Sequence, residues 1–64
     1  MPLRVTATTD GKYVGLTMPI DPHAPPAQIT TADGAMFDPI SWTEVEPGKW
    51  RIRNAHYCVW AEEV

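Results

Sequence analysis

A chain of 64 residues with one cysteine cannot close an intramolecular disulfide, and a domain of this size buries only about 60% of the surface its unfolded chain exposes. An apolar content of 44% with three tryptophans argues against disorder, and a net charge of −3 disfavours non-specific attraction to nucleic acid or anionic membranes. There is neither a charged-then-apolar leader nor a long apolar run, so one cytoplasmic domain over residues 1–64, with no membrane association, is expected. A core this small leans on a partner, which makes a homo-oligomer an expectation as well.

Leu3 to Met18 alternates apolar and polar residues around Asp10-Gly11, a hairpin signal. A two-residue turn there pairs Ala7 with Val14, Val5 with Leu16 and Leu3 with Met18, all on one face. Arg4, Thr6, Thr8, Tyr13 and Thr17 then share the other face, and Gly15 marks a bulge or a close backbone approach.

Pro19 to Ala27 holds four of the seven prolines. It can supply few backbone donors, so it is an extended connection, read as a stiff strap across the end of the domain or as a recognition loop. Gln28 to Thr31 and Ala35 to Phe37 flank a second Asp-Gly turn at Asp33-Gly34 and predict a shorter hairpin.

Ile40 to Glu62 contains all three tryptophans, the cysteine and three of the five basic residues. Pro47-Gly48 and Asn54-Ala55 punctuate it into three strands. The tightest first turn pairs Val45 with Trp50, Glu44 with Arg51, Thr43 with Ile52 and Trp42 with Arg53. The second pairs Arg53 with His56, Ile52 with Tyr57, Arg51 with Cys58 and Trp50 with Val59. Alternation then puts Thr43, Val45, Trp50, Ile52, Tyr57 and Val59 on a core face. Trp42, Glu44, Glu46, Lys49, Arg51, Arg53, His56, Cys58 and Trp60 fall on the opposite face. There Glu44/Arg51 and Glu46/Lys49 form cross-strand pairs of roughly 0.2–1 kcal/mol each, and Arg53 can stack on Trp42. Pro-Gly suits turn types whose twist fits a tight hairpin poorly, and a bulged loop would exchange the faces of residues 41–46.

No window has apolar residues at three-and-four spacing over three turns, so no helix is predicted. The expected fold is all-β: a small SH3-like barrel or a compact two-sheet sandwich of five to six short antiparallel strands built from hairpins.

His56 and Cys58 have a chelating spacing on one strand, but zinc wants four ligands and no second pair exists. The same two residues lack an oriented base and an oxyanion site, and the four glycines lie apart rather than in a phosphate-binding loop. No metal, no cofactor and no enzymatic activity are expected. The binding candidates are Trp42, Arg51, Arg53, His56 and Trp60, a composition shared by protein hot spots and by single-strand stacking platforms. Glu44 and Glu46 neutralise that face, which favours a protein partner or a second copy over nucleic acid. The reading is therefore a non-enzymatic protein-interaction module. Its size and lack of catalytic apparatus fit a virus-encoded accessory protein, in a host cytoplasm or virion, acting as a particle component or as an inhibitor of a host protein. A small-barrel single-stranded nucleic-acid-binding protein is the alternative.

Overall fold

A computed structural model describes residues 2–31 and 33–64. Its strands are β1 (Leu3–Thr8), β2 (Thr17–Met18), β3 (Ile29–Thr30), β4 (Met36–Phe37), β5 (Ser41–Glu46), β6 (Lys49–Arg53) and β7 (Cys58–Glu63). All pairings are antiparallel. The fold is all-β, in two sheets: a five-stranded sheet in the order β2-β1-β7-β6-β5 and a two-stranded sheet β3-β4. The two-sheet form of the expectation describes it, with β2 and β5 at the edges of an open large sheet.

Alternation on β6 sets the inside and the outside. Trp50 and Ile52 are buried, while Lys49, Arg51 and Arg53 turn the other way. Val59 and Ala61 of β7, Leu3 and Val5 of β1, Met18 of β2 and Ile29 of β3 complete the core. Leu3 and Ile52 are fully buried, and each such side chain contributes about 1.5–3 kcal/mol.

The β5–β6 register is displaced by one residue from the tight-turn expectation. Trp42 faces Ile52, Thr43 faces Arg51, Glu44 faces Trp50, and Val45 is left out as a bulge before Glu46 pairs with Lys49. The Pro-Gly turn needs extra local twist, and a bulge supplies it. Trp42 therefore packs half-buried against the core, and neither the Glu44/Arg51 pair nor the Arg53–Trp42 stack forms. The β6–β7 register differs by two residues, with Arg53 across from Cys58, Ile52 from Val59 and Trp50 from Ala61. A shift of two preserves the faces. Its cause is Asn54, whose Oδ1 accepts the N–H groups of His56 and Tyr57 at 2.8 Å each and builds a longer loop.

The first hairpin keeps its base and loses its tip. Leu3 pairs with Met18, and the Val5 N–H reaches the Leu16 carbonyl at 2.9 Å. The expected Ala7–Val14 pair does not form. Gly15 at φ +91° turns the second strand away, while on its opposite edge β1 runs on beside β7, with Ala7 and Thr8 paired to Trp60 and Val59. Thr6 is bulged between those two stretches of β1.

The proline segment closes one end of the core. Pro22 is buried, Ile20 packs against the core, and the His23 ring meets Trp50 edge-on at 5.5 Å. The β3–β4 hairpin covers part of the inner face through buried Ile29 and through Phe37, whose ring stands 5.8 Å from that of Tyr57.

Candidate interaction surface

Strap and small sheet both pack on the inner side, through Pro22, His23, Ile29 and Phe37. That leaves the outer face of β1, β7, β6 and β5 to its own side chains. The registers sort them into three rows running across the strands.

The first row is Arg4, Glu62, Lys49 and Glu46. Its charges alternate strand by strand, and two ion pairs close within it: Arg4–Glu62 and Lys49–Glu46, each at 3.3 Å. Such exposed pairs contribute at most about 1 kcal/mol. The second row is Ala7, Trp60, Arg51 and Thr43. Trp60 is 39% exposed, and the Arg51 Nε is shut off from solvent with no hydrogen-bond partner among the described residues. The third row is Cys58, Arg53 and Ser41, with Thr9 held beside Cys58 by bonds of 3.1 Å and 2.9 Å to its carbonyl and N–H.

Both bulges feed this face. Thr6 and Val45, with Lys49, Glu62 and Trp60, line a depression of 220 Å³ beside the indole. A bulge adds one residue to a strand and re-aims its side chain, so the two irregularities in the sheet flank the exposed aromatic ring.

Charge is segregated as well. Arg4, Lys49, Arg51 and Arg53 are four of the five basic residues, and Glu46 and Glu62 are the acids among them, so this face carries +2. The other six acids and Lys12 give the remainder −5, which recovers the net −3. Arg51 and Arg53 belong to neither ion pair.

Of the residues singled out from sequence, Arg51, Arg53 and Trp60 come together here. Trp42 lies on the inner side, and exposed His56 sits in the loop before β7. Cys58 and His56 border a shallow hollow at that loop, and no hydrogen bond joins their side chains. Among the described residues no three His, Cys, Asp or Glu side chains gather. Sequence reasoning overlooked Arg4, Thr6, Val45 and Glu62 as members of the face. Arg4 and Thr6 reach it through the β1–β7 pairing, for which no local signal exists, Glu62 follows Trp60 by alternation on β7, and Val45 arrives through the bulge that the Pro47-Gly48 turn allowed for.

A second concavity of about 300 Å³ lies between the two sheets, with Val5, Leu16, Phe37, Tyr57 and Val59 in its walls. Tyr13 also lines it, at φ +67°, a conformation that costs a residue with a side chain about 1–2 kcal/mol. Its hydroxyl donates to Asp33 at 3.3 Å, and Thr31 donates to the same carboxylate. At the mouth the Tyr57 hydroxyl donates to Asp10 at 2.6 Å. That bond is the main reason the Asp10 carboxyl lies below its ordinary range, while burial first and Asp10 second push Tyr57 up. The cleft can take a small apolar group, and its two tyrosine hydroxyls are already engaged.

Compared with protein-family models, curated proteins and solved structures, the chain matches none of them.

Proposed function

We propose that this chain is a non-enzymatic interaction module that docks a protein partner on the outer face of its five-stranded sheet. The observation that carries the reading is the pairing of half-buried Arg51, in no ion pair among the described residues, with exposed Trp60 at the centre of a face that neither strap nor small sheet covers. A partner's carboxylate or carbonyl can bond the terminal N–H groups of the guanidinium, and the indole supplies apolar contact at little conformational cost. A virus-encoded particle component or an inhibitor of a host protein would use such a face, in the host cytoplasm or virion.

Affinity capture from the source cells with wild type, Trp60→Ala and Arg51→Glu tests it. A protein retained by wild type and lost by both folded variants is the expected result. Full retention by both variants would move the interaction elsewhere on the molecule.

Charge supports a second reading, a platform for single-stranded nucleic acid. With exposed Glu44 carried to the opposite side of β5 by the bulge, the outer face is less neutralised than the sequence suggested. That reading requires binding to oligonucleotides that weakens steeply with salt and is abolished in Arg51→Glu. Binding that is absent or salt-independent would dismiss it.

A further inference from the structure

We infer that the occupant of the outer face is a second copy of the chain, packed face to face about a two-fold axis that runs parallel to the strands between β6 and β7. This rests on the reading of that face as the interaction surface and names its partner. A two-fold interface must be self-complementary: if residue i meets residue j, then j meets i.

The rows meet that condition. Rotation about this axis reverses each row onto itself, so β1 comes over β5 and β7 over β6. In the first row Arg4 meets Glu46 of the second copy and Glu62 meets its Lys49, so four opposite-charge encounters form and no like-charge encounter does. In the second row Trp60 meets the second copy's Arg51 twice over, giving each Arg51 guanidinium an aromatic face across the interface. Cys58 meets Arg53 in the third.

The other face-to-face two-fold, with its axis across the strands, lays the first row on the third. It sets Lys49 against Arg53 of the copy and leaves both arginines at position 51 near the axis without an indole. Strand order and charge alternation thus select one axis. Packed sheets cross at about −30°, so the fit is closest at Trp60 and Arg51 and loosens towards Arg4 and Glu46.

Four strands about 4.8 Å apart, each presenting about five residues at about 3.3 Å, offer about 300–400 Å² of sheet per copy. A standard interface takes about 800 Å² per partner. The dimer is therefore weak, populated at high micromolar concentration and sensitive to salt.

Reciprocal charge reversal tests the pairing. Lys49→Glu alone makes two like-charge encounters with Glu62 in a homodimer, and Glu62→Lys alone makes two with Lys49. An equimolar mixture has neither in the heterodimer. Sedimentation equilibrium from about 10 μM to about 1 mM should show wild type dimerising at low salt and dissociating near 1 M salt, where charges are screened beyond about 3 Å. Each variant alone should dimerise about tenfold more weakly or worse, and their mixture should recover wild-type association. Arg4→Glu with Glu46→Arg forms an independent reciprocal pair for use if either first variant misfolds. A wild type monomeric throughout overturns the proposal, as does a dimer that the single variants leave intact or that mixing fails to restore. A monomeric wild type that still loses a captured protein on Trp60→Ala removes the second copy while leaving the outer face as the interaction surface.

Discussion

Glu44 lies across the β5–β6 ladder from Trp50, and from there its carboxylate accepts the Gly48 N–H at 3.1 Å. One acidic side chain thus both marks the displaced register and ties down the turn that displaced it. Val45 is the residue left over, and everything before it on β5 has exchanged faces relative to a regular hairpin. Trp42 moves in and Thr43 moves out.

The two tryptophans that bracket this change should behave oppositely. Trp42→Ala removes a half-buried ring from the edge of the core and should cost about 2–3 kcal/mol, below the about 3–5 of a fully buried one. Trp60→Ala truncates an exposed ring and should cost less than about 1 kcal/mol. Urea denaturation of both variants measures the difference. Comparable losses would mean that Trp60 is covered within the monomer.

Gly48 has φ +77°, and a Cβ there would meet nothing nearer than the Glu63 carboxylate at 3.7 Å, an ordinary contact. Gly48→Ala should therefore destabilise by about 1–2 kcal/mol through backbone conformation alone, and Gly48→Asn by less. Thermal unfolding of the pair checks the order; an alanine variant as stable as wild type would mean the turn is of another type.

Acid and alkali should act on one hydrogen bond. Tyr57, then the Lys12 N–H, hold Asp10 below 3.8, so its contribution is complete above that value and fades as pH falls through the depressed one. Tyr57 is raised above 10.0, by burial first and Asp10 second, so its contribution is complete below 10.0 and fades as pH rises through the raised value. The stability gap between wild type and Tyr57→Phe, from urea unfolding across pH, should be flat near neutrality and narrow at both extremes. A gap independent of pH would mean that Asp10 and Tyr57 are not coupled in solution.

His23 should report on the strap. Its ring meets Trp50 edge-on, a contact of about 0.5–1.5 kcal/mol. His23→Ala should lower stability within that range and increase acrylamide quenching of Trp50 in a Trp42→Phe/Trp60→Phe background. Unchanged quenching would detach the strap from the core.

Residues close in sequence determined much of this molecule. Alternation in Leu3–Val5, Trp50–Ile52 and Val59–Ala61, with turns at Asp33-Gly34 and Pro47-Gly48, is enough for an all-β chain of short hairpins, and it marked Leu3, Val5, Met18, Trp50, Ile52 and Val59 as core. It also put Arg51, Arg53 and Trp60 on one face, because β6–β7 slipped by two residues and an even slip keeps the faces. Tertiary structure alone decided the rest. Pairing β1 with β7 joins residues 58 apart and brings Arg4 to Glu62. At Pro47-Gly48 the turn chemistry left two registers open, and the bulge at Val45 is the odd one, so one residue sends Trp42 inward and carries Glu44 off the basic face. Side-chain direction has a period of two, which makes a face robust to an even error in register and wholly dependent on an odd one. The local turns offered both kinds of slip, and only packing against the remaining strands chooses between them.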